Sequence, residues 1–404
     1  MLTAPLKVVC GTDSLRRGEL PAVDVPGLYV HIPFCFHKCH YCDFYSITRQ
    51  SPDRMERFVD LILREAEGWT LTPTRLAPRT IFFGGGTPTL LPPPAMRRLI
   101  EGLAARLDLM AVEEFTVEAN PATVDGEYAA MLRSLGVNRL SLGAQSFDPK
   151  DLKALERHHD PQDVPESLEL ARAAGFSRLN LDLIYAVPGQ TLESWARSLD
   201  SAIALGTEHL SCYALTYEPN TPLAVRRRLG HFDAVEESTE LAMMRWTRRR
   251  LAEAGLRAYE ISNFARPGCE CRHNLLYWDG GNYIGLGPSA ASHVQGVRWK
   301  NKAHLGEWEA AVDAGGDMGL PLMEFERLDT SRRASEYVYL RLRLAEGVGL
   351  DELESRFPGS LGRLTPLAQR LSNMGVLRLD EARWTLTDRG VEVADAVASE
   401  FLTA

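Results

Sequence analysis

No stretch of this 404-residue sequence approaches the roughly 18 consecutive apolar residues of a membrane span. That argues against a spanning helix and leaves peripheral association open. The first 26 residues lack the apolar run of a secretory signal. Basic charge is in deficit: 45 Lys and Arg face 54 Asp and Glu, a net charge of −9. Such a balance argues against a surface that wraps nucleic acid. Two arginine runs, Arg226 to Arg228 and Arg248 to Arg250, read as solvated helix faces. Cysteines are few, seven in all, and odd in number. In a long chain without a signal, clustered cysteines point to metal binding rather than a disulfide framework. The expected location is therefore a reducing cytoplasm. No heptad seam demands an oligomer.

What the chain does contain is rhythm. Apolar and β-branched runs at 27–33, 79–83, 113–119, 139–145, 178–186 and 208–216 predict six strands. Helical stripes lie between them. Met55, Phe58, Val59, Ile62 and Ala66 make one such stripe, and Leu168, Leu170, Ala171 and Ala174 another. Six β/α units in a row imply a parallel sheet, expected to curl into an incomplete (β/α)6 barrel over residues 27–220. Residues 1–26 read as an irregular lead-in. Residues 221–320 read as an extension, with a helix at 234–254 followed by a stretch rich in Gly and aromatics. Residues 321–404 predict three helices, a two-stranded hairpin and a last helix. That is a winged-helix-like α+β plan, whose acidic hairpin favours docking or packing over DNA binding.

Cys35, Cys39 and Cys42 stand at CxxxCxxC spacing directly after the first strand. Thiolates select zinc or iron–sulfur centres. A four-iron cluster usually takes four cysteines, so three would leave one iron open to a small chelating ligand. The competing reading is a zinc site completed by His31, His37 or His40. Zinc sites more often use CxxC pairs with a distant second pair. The remaining rim residues fall at the C-terminal ends of the predicted strands, where barrel sites are built. Gly84, Gly85, Gly86 and Thr87 follow the second strand, Glu118 ends the third and Gln145 the fourth. Asp182 sits among apolar neighbours in the fifth, where a carboxylate needs a partner or a ligand. Arg157 can grip a ligand carboxylate bidentately.

The cysteine spacing on the first strand resembles the radical S-adenosylmethionine (SAM) superfamily over residues 27–220. The resemblance implies a [4Fe-4S] cluster on Cys35, Cys39 and Cys42, with SAM chelating the open iron and cleaved to a 5′-deoxyadenosyl radical. YVHIPFC, GGGTPT, VEANP, GAQSF, DLIYAVPGQ and YEPNTPL are similar to one branch, which holds oxygen-independent coproporphyrinogen III oxidase and a sister group of heme chaperones. Carried over onto this chain, the resemblance implies SAM contacts from Tyr29, Tyr41, Gly85, Gly86, Thr87, Glu118, Gln145, Arg157, Asp182 and Thr216.

Three features lean toward the chaperone sisters: the short approach to Cys35, the ending Cys42-Asp43-Phe44 in place of CGC, and the string His273-Asn-Leu-Leu-Tyr277-Trp278. In that branch such an HNxxYW string is associated with heme. Histidine can ligate heme iron, and Tyr277 and Trp278 offer flat faces. The plainer reading is a string that packs a loop beneath the barrel. The expected partners are heme and a heme-accepting protein, with no nucleic acid, and the resemblance implies a monomer or homodimer. The alternative is decarboxylation of coproporphyrinogen III; radical modification of nucleic acid is the remaining class, disfavoured by the acidic balance.

Overall fold

The computed structural model describes residues 20–48, 50–121, 123–315, 320 and 322–403. Most of the lead-in expected over 1–26, and Cys10 with it, lies outside the described residues. The six predicted strands are present as β1 (Asp24–Ile32), β2 (Arg75–Gly85), β3 (Glu114–Ala119), β4 (Arg139–Gln145), β5 (Leu179–Tyr185) and β6 (His209–Ala214). They pair in parallel and in sequence order, with Tyr29 opposite Phe82 and Asp182 opposite Ser211. A helix precedes each of β2 to β6.

Local chemistry sets the helix starts. The helix Pro52–Thr70 begins with proline after Ser51, whose side chain accepts from the Arg54 amide. The helix Leu192–Ala204 opens on a capping box between Thr191 and Ser194. Helix stripes and strand faces meet in one large core that includes Phe58, Ile62, Trp69, Phe83, Leu99, Trp195 and Trp308.

The stretch from 256 to 300, which shows no sequence period, supplies strands on both sides of these six. β7 (Arg257–Ala258) and β8 (Asn263–Ala265) pair antiparallel beyond β6. β9 (Tyr283–Leu286) pairs in parallel with β1, placing Gly285 opposite Tyr29. β10 (Ala291–Val294), β11 (Val297–Asn301) and β12 (Leu322–Arg327) continue antiparallel. The result is a twelve-stranded sheet in which β1 pairs with β9 and β6 with β8. The curl therefore stays open, a partial α/β barrel extended on both sides.

The C-terminal part has its own core of Leu342, Leu353, Leu364, Leu371, Trp384 and Phe401. Its helices Thr330–Arg341, Leu350–Arg356 and Ser360–Asn373 precede a hairpin of β14 (Leu377–Leu379) and β15 (Arg383–Leu386). A short β13 (Val348–Gly349) adds a third antiparallel strand to that wing. The plan is winged-helix-like. It is fastened to the barrel side by Arg341, which pairs with Asp279, and by Arg343, which lies 4.7 Å over the Trp278 ring. Among the described residues no helix is long and apolar enough to cross a membrane.

Candidate functional site

The rim at the C-terminal ends of β1 to β5 gathers most of the chemistry-bearing side chains. The chain leaves β1 at Ile32 and enters the cysteine loop, whose base is closed by two backbone bonds. Cys35 N–H donates to the Ile47 carbonyl at 2.9 Å, and Ile47 N–H to the Pro33 carbonyl at 2.8 Å. The glycine turn after β2 packs directly on this base. Gly86 N–H reaches the Ile32 carbonyl and Thr87 N–H the Phe34 carbonyl, at 2.8 and 2.7 Å. A Cβ on Gly86 would sit 2.6 Å from the Phe34 oxygen, and one on Gly85 2.5 Å from the His31 ring. Gly85 also holds φ +105°, a conformation L side chains avoid. Glycine is required here because two backbones meet.

Thr87 and Asn120 bridge the glycine turn to the rest of the rim. Asn120 donates to Thr87 Oγ1 at 3.0 Å, and the Thr87 hydroxyl lies 3.9 Å from the Cys35 sulfur. Arg157 donates to Asn120 Oδ1 and the Gly143 carbonyl, each at 2.7 Å, and points Nη1 at the Cys39 sulfur at 3.6 Å. Its Nε is buried without a hydrogen-bond partner among the described residues. Gln145 closes β4 with φ +63°, a strained backbone of the kind found at ligand sites.

Two carboxylates lie in the mouth. Glu118 accepts from Gly85 N–H at 3.3 Å. Removal from water, with the nearby charge of Asp182, pushes it up to about 8. Asp182 is raised as well, chiefly by desolvation. It accepts from the Ser141 hydroxyl at 2.8 Å and the Asn180 amide at 3.0 Å. The partner that its apolar surroundings demanded is thus this polar ladder. Tyr41 packs on Leu155, Ile184, Val187, Leu215 and Leu223 beside the loop. Thr216 follows β6 at the same end of the sheet and is exposed.

His31 and Tyr29, on β1, are joined in a hydrogen-bonded chain that spacing alone does not reveal. His31 Nε2 lies 2.8 Å from the Tyr45 carbonyl and must donate to it. Nδ1 is then the acceptor for the Tyr29 hydroxyl at 3.0 Å. Burial lowers His31 to about 4, so the ring is neutral and locked.

The zinc alternative fares poorly on this geometry. His31 has both nitrogens engaged, His40 Nδ1 accepts from Arg226 at 3.3 Å, and His37, whose Nε2 has no partner among the described residues, groups with Glu156 and His158 rather than with the thiols. Among the described residues, the three thiols do not form a set of donors within 4.8 Å of one another. A tetrahedral zinc at about 2.3 Å from each sulfur needs them about 4 Å apart. A four-iron cube spaces its thiolates more widely. Burial pushes Cys42 up to about 11, so a thiolate there needs a cationic partner such as iron. The two recessed carboxylates suit a ligand carrying a sulfonium and an ammonium group, and Arg157 suits its carboxylate. The residues present therefore fit a cluster with SAM.

The HNxxYW string lies elsewhere. It forms the helix Arg272–Trp278 beneath β2. His273 is fully buried, stacked on Phe82 at 5.4 Å. Its Nδ1 is 2.8 Å from the Thr80 hydroxyl and its Nε2 2.8 Å from the Tyr277 hydroxyl. Burial lowers this imidazole to about 3. With both nitrogens bonded, His273 presents no free lone pair to an iron in this conformation. Tyr277 packs on Tyr283 at 4.4 Å, and Trp278 lies under Arg343. The two remaining cysteines of interest are also remote from the loop chemistry: Cys271 bonds Glu114 at 3.4 Å, and the Cys269 carbonyl accepts from Arg139 at 3.0 Å.

Comparison with known proteins agrees with this layout. The model of the radical SAM superfamily matches residues 29–202, and that of the HemN C-terminal domain matches residues 328–393. The heme chaperone HemW of Lactococcus lactis is 34% identical, over 93% of this chain and 96% of its own. Those of Mycobacterium tuberculosis and Bacillus subtilis are 37% and 33% identical, over 93% of this chain and 94% and 98% of theirs. Coproporphyrinogen III oxidase (HemN) from Escherichia coli superposes with a TM-score of 0.82 at 23% identity, covering 95% of this chain and 91% of its own. That likeness shows the fold. The full-length identity to the chaperone relatives shows more: the chain belongs to the HemW family, within the radical SAM superfamily.

Proposed function

We propose that this protein binds heme and delivers it to an acceptor protein, while carrying a [4Fe-4S] cluster on Cys35, Cys39 and Cys42 and SAM at the barrel rim. The observation that carries the reading is identity of 33–37% over nearly the whole chain to relatives named as heme chaperones. When bound, the cluster supplies an electron to SAM. The chain's own part is positional. Arg157 would hold the SAM carboxylate beside Cys39, Glu118 and Asp182 would face its cationic groups, and the glycine turn would give backbone access.

His273, Tyr277 and Trp278 are proposed to serve heme handling. For His273 to reach an iron, its bond to Thr80 or to Tyr277 has to break, so heme loading at that string implies local opening. A second reading, oxidative decarboxylation of coproporphyrinogen III, is supported by the superposition on the oxidase. One experiment separates them. The anaerobically reconstituted protein is given SAM, dithionite and coproporphyrinogen III, with heme titrated into a parallel sample. Stoichiometric heme binding without protoporphyrinogen formation supports the chaperone. Product formation overturns it.

A further inference from the structure

A group of nitrogen and oxygen donors lies at the cysteine loop apart from its three sulfurs. His37 projects from the loop between Cys35 and Cys39. Glu156 and His158 flank Arg157, just past the helix Pro149–Ala154. One ligand atom from each of His37, Glu156 and His158 lies within 4.8 Å of the other two. The rings of His37 and His158 meet edge to face, their centroids 4.4 Å apart. Nε2 of His37 is buried and has no hydrogen-bond partner among the described residues. Glu156 holds φ +56°, a conformation that costs a non-glycine residue about 1 kcal/mol or more and is kept where surroundings enforce it.

The geometry points to a second metal site, in which His37, Glu156 and His158 hold one divalent transition ion of the zinc class, with water completing its coordination. Two imidazoles and a carboxylate are a donor set that zinc takes at open sites. At metal–ligand distances of about 2.0–2.1 Å, tetrahedral donors stand about 3.4 Å apart. His158 is exposed and its ring is free to close that gap by rotation. Heme iron fits worse. A porphyrin leaves two axial positions on opposite faces, and two rings in mutual contact on one side cannot fill both.

The ion would tie the cysteine loop to the segment 156–158 and so fix Arg157, which sits between two of its ligands, against Cys39. The site is independent of the heme reading and stands or falls apart from it.

Co2+ titrated anaerobically into the cluster-loaded protein tests the proposal, with visible ligand-field absorption and iron content read together. One equivalent is expected to bind with iron unchanged and without thiolate charge-transfer bands. H158A, which removes an exposed side chain, is expected to weaken binding at least as much as the roughly 10- to 100-fold that losing an outer-sphere partner costs. The H37A/H158A double variant is expected to abolish it. No bound cobalt, unchanged affinity in either variant, or iron lost in step with cobalt uptake would each overturn the proposal.

Discussion

Arg157 sends one arm of its guanidinium to within 3.6 Å of the Cys39 sulfur and the other to Asn120 and the Gly143 carbonyl. A single cation therefore ties the ends of β3 and β4 to the cysteine loop. Charge effects are magnified in such a recessed mouth, where water screens poorly. Burial works against this charge, but a guanidinium keeps its proton at any ordinary pH.

Arg157→Gln removes that charge while keeping a polar side chain. The reduced, more negative cluster should lose stabilisation, so its midpoint potential is expected to fall by tens of mV, on the order of 1 kcal/mol per electron. Arg157→Lys keeps the charge but loses the planar fork that reaches Asn120 and Gly143 together. It should fall between Gln and the parent. Redox titration followed by electron paramagnetic resonance checks this, and equal potentials in all three proteins would show that the cluster does not feel the cation.

Cys39→Ala is expected to leave the reconstituted protein without its brown chromophore. Cys39 is only partly buried and belongs to no hydrophobic core, so the fold should melt within a few degrees of the parent. Iron analysis and the visible spectrum measure the first, circular dichroism the second. Retention of about four irons per chain would refute the assignment of three cysteine ligands.

The reach of the sequence shows in where these residues fall. β1 to β6 were legible because each is a β-branched or apolar run set between helical stripes. Glu118, Gln145 and Asp182 followed from the rule that barrel chemistry gathers at strand ends. β7 to β11 were not legible. They are two to five residues long, and pairings such as Gly285 on Tyr29 are fixed by the sheet edges that receive them rather than by local pattern. Asn120 was visible inside VEANP, but its role depends on Arg157, 37 positions away. The plainer reading of the HNxxYW string, packing beneath the barrel, names no partner for His273. Only the fold brings Thr80 and Tyr277 to its two nitrogens.

That enclosure separates two roles for His273. His273→Ala opens a cavity and strips the Thr80 and Tyr277 hydroxyls of their partner, which should cost about 2–4 kcal/mol of stability. His273→Gln keeps some of the polar contact and should cost less, but it offers iron no imidazole. Heme titration of the two, alongside urea unfolding, discriminates. If Gln restores both stability and heme affinity, the residue serves heme by shaping the string. If Gln restores stability alone, imidazole ligation is at work and the ring must swing free to do it.

Glu118 gives the protein a pH signature that ligand binding should reverse. Its folded pKa, about 8, lies above its ordinary value of 4.5, so between those limits the folded state holds a proton that the unfolded chain has released. Stability must fall as pH rises through that window. The buried histidines His31 and His273 act oppositely, since both are neutral in the fold. Their effect is half spent at about 6.5, the value for a free imidazole, and over about one unit higher. From 6.5 to 8 the histidine contribution fades and the buried carboxylates raised in the fold dominate: Glu118, its neighbour Asp182, and Glu65, which burial lifts to about 7. Urea midpoints of the SAM-free protein are expected to drop across it by up to a few kcal/mol in free energy. Glu118→Gln and Glu65→Gln should each remove a share of the drop. A cationic ligand beside Glu118 favours the ionised form, so SAM binding near pH 7 should release protons, and calorimetry in buffers of different ionisation enthalpy counts them. Release that survives Glu118→Gln and Asp182→Asn together would place the sulfonium and ammonium groups away from both carboxylates and overturn the proposed orientation of SAM in the mouth.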